Sequence, residues 1–172
     1  KPVLIAIDKQ GVWHLADSHE YLVNTSSPNL IALNLTNNQI KITPGKDEHQ
    51  LSVSGRDLPH GHIDVAFPIL HGPYGEDGSI QGLLKIANIP FVGSSMLGSA
   101  IGMDKDIMKR ILRDAGIPTA DFASFTKSQQ YMIDFDDLST IFGLPLYVKP
   151  ANLGSSIGIS TINNEKELKK AV

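Results

Sequence analysis

Ile63-Asp64-Val65-Ala66-Phe67-Pro68-Ile69-Leu70 is a strand-sized apolar run, and with the segments on its C-terminal side it decides the fold. The next segment, His71-Gly72-Pro73-Tyr74-Gly75-Glu76-Asp77-Gly78-Ser79-Ile80-Gln81-Gly82, is rich in glycine. It opens into Leu83-Leu84-Lys85-Ile86-Ala87-Asn88, which carries a helical stripe, and Ile89-Pro90-Phe91-Val92 then reads as a short strand. Strand, loop, helix and strand in this order form a βαβ unit, so the first part of the chain reads as α/β with a parallel sheet. Pro68 predicts that the first strand ends near it, because proline has no N–H to give to a ladder.

Upstream, Val3-Leu4-Ile5-Ala6-Ile7 is a continuous apolar run of the kind buried on both faces of a parallel sheet. Asp8 to Gly11 reads as a turn, and Val12 to Leu15 as a short return strand. From Asn24 to Gly61 the chain is rich in Asn, Ser, Thr, Pro and Gly, which predicts surface loops with short strands such as Gln39 to Ile42. Downstream, Ser95 to Met103 reads as a helix of small residues. Asp104 begins an amphipathic helix with Ile107, Ile111, Leu112 and Ala115 on one face and Lys105, Asp106, Lys109, Arg110 and Arg113 on the other. Gly116 and Pro118 end it. Short strands and a helix near Phe135 to Phe142 come next, and Asn164 to Ala171 reads as a last helix. A boundary near Met103 gives two domains, 1–103 and 104–172.

Composition narrows the function. Of the 172 residues, 41% are hydrophobic and 19% charged, as in an ordinary globular protein. A net charge of -3, from 15 basic and 18 acidic residues, provides no basic footprint for nucleic acid. The absence of cysteine removes disulfide and thiolate chemistry and fits a reducing compartment. The longest apolar runs are strand-sized and too short to cross a membrane. The chain begins without methionine and ends at Val172 inside an apparent helix, so it reads as a piece of a longer protein.

Three segments carry candidate chemistry. The loop from His71 to Gly82 comes after a core strand and opens a helix, the position where open α/β sheets bind ligands. Its four glycines let backbone approach a ligand, Asp77 or Ser79 can cap the helix, and His71 with Glu76 can form an oriented imidazole–carboxylate pair. The alternative is a tight loop with a capped helix and a satisfied histidine. Lys105 sits in the first turn of a helix capped by Asp104, where the dipole disfavours a cation by about 0.3–1 kcal/mol. A bound phosphate would be attracted by both dipole and lysine; a tolerated surface lysine is the plainer option.

The third segment is Leu146-Tyr147-Val148-Lys149-Pro150-Ala151-Asn152-Leu153-Gly154-Ser155-Ser156-Ile157-Gly158-Ile159-Ser160. A lysine closes one strand-like run, a Gly/Ser loop comes after it, and a second apolar run begins. Glycines bare their N–H groups, serines add hydroxyl donors and lysine adds charge, a set that suits phosphate. The order is not that of a Walker A loop, where the lysine comes after the glycines and leads into a helix. The period of two puts Tyr147 and Lys149 on the face opposite Leu146 and Val148. Alternatively, this is a β-hairpin with a Gly/Ser-rich turn and an edge lysine. His60-Gly61-His62 has no supporting carboxylates or thiolates and reads as surface, and no Gly-x-Ser-x-Gly or His-Glu-x-x-His motif occurs.

The linked motifs, His71-Gly-x-x-Gly-Glu-Asp-Gly-x-x-Gln-Gly82, Met103-Asp104-Lys105, and Val148-Lys149-Pro150 with Gly154-Ser155-Ser156-Ile157-Gly158, resemble the D-alanine–D-alanine ligase family of the ATP-grasp superfamily. The region from Trp13 to His62 resembles its longer subtype. The resemblance implies an N-terminal, Rossmann-like pre-ATP-grasp domain lacking its first strand and helix, followed by the first part of an ATP-grasp α+β domain. It implies a cytoplasmic enzyme of peptidoglycan precursor synthesis that phosphorylates one D-alanine with ATP and lets a second attack the acyl phosphate. Lys105 and Lys149 would hold ATP phosphates, with Gly154, Ser156 and Gly158 in the flap. Ser155 would close over the reacting carboxylate and bond a loop residue beyond this chain. His71, oriented by Glu76, would lie at the substrate end. Mg2+ is implied, with its ligands expected beyond Val172, so no metal ligand is named and the 172 residues alone are expected not to turn over. D-alanine and ATP are the implied partners and a homodimer is allowed; neither nucleic acid nor membrane is implied. A sister ligase making D-Ala-D-lactate or D-Ala-D-serine, and a non-catalytic nucleotide-binding α/β module, are the alternatives.

Overall fold

The computed structural model describes residues 2–17, 19–34, 38–53, 55–58, 62–154 and 157–172. The chain divides into two compact units, residues 1–67 with 82–92, and residues 68–81 with 93–172.

The first unit opens with a hairpin of β1 (Leu4–Ile7) and β2 (Trp13–Ala16), antiparallel with Leu4 opposite Ala16 and Ile7 opposite Trp13. The run Val3 to Ile7 therefore pairs with its own return strand, and only Ala6 of β1 is buried. The cause is local. The Asp8 carboxylate accepts the N–H groups of Gln10 and Val12, each at 2.9 Å, and turns the chain back at once. His14 is 7% exposed and meets Asp8 Oδ2 at 3.2 Å through Nε2. Hydrogen bonds from Val12 lead in holding the Asp8 carboxyl below the usual aspartate value.

Beyond it come β3 (Leu22–Val23) with β4 (Ala32–Leu33), then a three-stranded antiparallel sheet of β5 (Ile40–Ile42), β6 (Leu51–Val53) and β7 (Arg56–Asp57). Gln50 is wholly buried and stitches the region together, donating to Asp47 O at 3.0 Å and accepting from Ile63 N–H at 3.3 Å. The βαβ connection is present in reduced form. Ala66 and Phe91 form a parallel bridge: Ala66 N–H donates to Pro90 O at 2.7 Å, and Val92 N–H to Ala66 O at 2.9 Å. Pro90 has no N–H and Pro68 closes the other run, so the parallel ladder stops at one bridge. The connecting helix, α1 (Ser79–Ile86), starts four residues before the stripe at Leu83. Mixed helices and strands around this connection make the fold α/β.

In the second unit, α2 (Met96–Met103) is capped by the Ser95 hydroxyl, which accepts from Gly98 N–H. Next come α3 (Lys105–Asp114), a 3-10 segment at Lys127–Met132, α4 (Phe135–Phe142), the hairpin β8 (Leu146–Val148) with β9 (Ser160–Ile162), and α5 (Glu165–Ala171). Leu146, Ile162 and Leu168 form a buried cluster, packed by Ile133, Phe135, Leu138, Phe142, Val148 and Ala171. Burying side chains of this size stabilises by about 1.5–3 kcal/mol each, which roots the hairpin on two helices. The apolar stripe of α3 is less covered than its pattern predicts, Ile107 and Ile111 being 43% and 45% exposed. Among the described residues no helix is long and apolar enough to cross a membrane.

Candidate active site

Residues 71–81 of the first motif segment and the whole of the other two fall in the second unit. β8 and β9 pair antiparallel, with Leu146 opposite Ile162 and Val148 opposite Ser160, so residues 149–159 form the loop of a hairpin. Leu146 is buried, while Tyr147 and Lys149 are exposed, as the period of two requires. The Lys149 Nζ lies 5.9 Å from the centre of the Tyr147 ring, a cation–π distance that keeps the ammonium on that face.

The base of the loop is pinched. Gly158 has φ +73 and faces Pro150 so closely that a Cβ there would lie 2.7 Å from Pro150 Cγ. Glycine is the residue that tolerates both the positive φ and the contact. Gly154 O accepts the Ile157 N–H at 3.1 Å. Ser155 and Ser156 lie outside the described residues, as do His60 and Gly61.

Lys105 reaches this loop from α3. The Asp104 carboxylate caps the helix, accepting the N–H groups of Asp106 and Ile107 at 3.0 Å each. The Lys105 N–H donates to Ala151 O at 3.0 Å, and its Nζ donates to Leu153 O and, at 3.4 Å, to Ala151 O. Two carbonyls shortly past the end of β8 thus collect a lysine from another element. The other cations of α3 are occupied elsewhere. Lys109 Nζ donates to Ala120 O at 2.8 Å and lies 5.0 Å from the centre of the Phe122 ring, and Arg110 pairs with Asp106 at 2.9 Å. The Lys105 ammonium therefore stands at the root of the flap, on carbonyls just along the chain from Lys149.

The His71 loop is braced internally. Glu76 Oε2 accepts the Gly72 N–H at 2.5 Å, and among the described residues no hydrogen bond joins Glu76 to the His71 ring. Spacing gives the carboxylate reach toward the imidazole, but the nearer backbone donor takes it. Asp77 accepts from Tyr74 N–H at 2.8 Å and Ser79 N–H at 3.0 Å, while Ile80 N–H donates to Tyr74 O at 3.1 Å. The first amides of α1 are thus used within the loop. A carboxylate is therefore already seated at the N-terminus of α1. Gly78 has φ +94 and abuts Met96 O, where a Cβ would come within 2.6 Å.

Burial raises the Asp77 pKa, but hydrogen bonds from Tyr74 and Ser79 more than offset this, so the carboxyl titrates below the ordinary aspartate value. Its contribution to stability is therefore full above the unfolded-state pKa and is lost as pH falls through the lower folded-state pKa. Unfolding curves of the wild type and Asp77→Ala should differ by about 0.5–2 kcal/mol at pH 7, and the gap should narrow below the ordinary aspartate range. A gap independent of pH would show that the carboxylate's charge is not involved.

Among the described residues no group of three or more His, Cys, Asp or Glu side chains is placed to hold a metal ion. Sequence reasoning gave no role to Ala151 and Leu153 in the flap root, nor to Pro150 and Gln81, which it quoted only as motif positions; Gln81 Nε2 donates to Gly75 O at 3.2 Å. Carbonyl partners carry no residue-type signal, so only coordinates reveal them.

Known proteins match this chain along most of its length. The family model for the D-ala D-ala ligase N-terminus matches residues 1–94, and that for the D-ala D-ala ligase C-terminus matches residues 111–172. The chain belongs to the D-alanine–D-alanine ligase family. It is 49% identical over 169 residues to the D-alanine–D-alanine ligase of Oceanobacillus iheyensis, covering 98% of this chain and 46% of that protein. It is likewise 49% identical over 170 residues to D-alanine–D-alanine ligase A of Escherichia coli K12, covering 99% and 47%. The chain spans about half the length of these curated relatives. Among solved structures, the VanG D-Ala:D-Ser ligase from Enterococcus faecalis superposes with a TM-score of 0.80 at 28% identity, over 98% of this chain and 48% of that one.

Proposed function

We propose that the full-length protein joins two D-alanines in an ATP-dependent ligation, through an acyl-phosphate intermediate, and that this chain supplies its phosphate grip. The observation that carries the proposal is the Lys105 ammonium on the flap carbonyls of Ala151 and Leu153, just past Lys149. A carboxylate oxygen of the first D-alanine attacks the γ-phosphorus and ADP leaves. The amine of the second D-alanine then attacks the acyl carbon, loses a proton, and expels phosphate. Negative charge on the transferring group is what two lysines and a loop of glycine amides neutralise.

In this proposal Lys105 and Lys149 hold the phosphates, and Gly154, Ser155, Ser156 and Gly158 close over the one being transferred. His71 meets the first substrate, with Glu76 fixing the loop that carries it. Residues 1–103 form the substrate-side domain and 104–172 the ATP-side domain. The setting is the cytoplasm, in peptidoglycan precursor synthesis, with Mg2+ held by residues outside this chain. Likeness to a D-Ala:D-Ser ligase supports D-serine as a second acceptor to be tried.

The full-length protein, supplied with ATP, Mg2+ and D-alanine, should release ADP and phosphate and form D-alanyl-D-alanine. Product only when D-serine or D-lactate is added would assign the sister activity. Tight ATP binding with no product from any of the three would make the protein a nucleotide-binding module.

A further inference from the structure

We infer that Gln81 is a positioning residue for the candidate substrate loop, acting through Gly75; the inference rests on the ligase function proposed above. Gln81 lies in the first turn of α1 and is 8% exposed. Its Nε2 donates to Gly75 O at 3.2 Å, a bond buried at both ends. Its Oε1 is occluded and has no partner among the described residues. A half-satisfied buried amide is less favourable than an apolar side chain of similar volume, so packing alone would place methionine here. The donor to Gly75 is what the amide adds.

Gly75 is the right place to hold the loop. It is buried against Leu70, where a Cβ would lie 2.7 Å from Leu70 Cβ. The N–H groups of Gly75 and Glu76 both donate to Gly72 O, at 3.2 and 3.0 Å, and the Glu76 carboxylate returns to Gly72 N–H. A shift of the Gly75 carbonyl therefore moves Glu76 and Gly72 together, and His71 with them. Gln81 sets this linked group from a helix, the more rigid support.

Two variants of the full-length protein test this. Gln81→Met removes both the donor and the orphan acceptor at similar volume, and Gln81→Glu keeps the shape but, when ionised, cannot donate. Both should raise KM for D-alanine about tenfold or more while KM for ATP stays within about twofold, and Gln81→Met should not lower Tm. An unchanged KM for D-alanine in Gln81→Met, or parallel rises in both KM values, overturns the inference. Failure of both variants to fold also overturns it, since the amide is then a packing element. Normal turnover by the wild type alongside unaffected variants overturns this inference alone. No turnover of D-alanine by the wild type overturns the ligase function and this inference with it.

Discussion

Lys149→Ala in the full-length protein should raise KM for ATP by about 10–100-fold, the equivalent of roughly 1.5–3 kcal/mol for a hydrogen bond to a charged group. KM for D-alanine should stay within about threefold. The asymmetry arises from where Lys149 sits. It comes directly after β8 on the exposed face, stacked beside Tyr147, while the hairpin's stability comes from Leu146 on the other face packed with Ile162 and Leu168. Removing the ammonium takes away charge and leaves the core untouched. Steady-state kinetics with each substrate varied in turn gives the comparison, and equal losses for both would point to a misfolded variant.

Lys105→Ala should cost as much in ATP affinity and should also loosen the flap in the absence of nucleotide. Its Nζ is the side-chain tie between α3 and the carbonyls of Ala151 and Leu153. The backbone bond from Lys105 N–H to Ala151 O survives the substitution, so one anchor of the flap root remains. Amide hydrogen exchange around residues 151–154 should therefore rise in Lys105→Ala and stay near wild type in Lys149→Ala. Loss of ATP affinity without a change in exchange would leave Lys105 as a phosphate ligand with no hold on the flap. Greater exchange without lost affinity would make it a structural tie alone.

The flap hairpin was legible in the sequence because two short-range rules agree there. Alternation fixed the faces of Leu146 to Lys149, and the glycines marked the loop between β8 and β9. The Asp104 cap was legible for the same reason, since capping needs only the residue and the helix it starts. The return strand from Val12 was legible as well, as the antiparallel partner of Val3 to Ile7, but the burial of that run was not: a continuous apolar run reads as a strand covered on both faces, and only Ala6 of β1 is buried. Asp8 makes the turn between the two strands by accepting the N–H groups of Gln10 and Val12. Glu76 shows the limit for a site residue: spacing placed it within reach of His71, but direction belongs to the folded loop, where Gly72 N–H takes it. Gln81 stands in the quoted motif, but the motif does not say what it does; its burial and its bond to Gly75 do.

The central claim is that the lysines and flap grip a phosphate on its way to a carboxylate. Isotope transfer tests it most directly. With D-alanine carrying 18O in both carboxylate oxygens, the full-length protein should release phosphate bearing one 18O per molecule, because the attacking oxygen leaves with phosphorus. Phosphate free of 18O, released as the dipeptide accumulates, would contradict it.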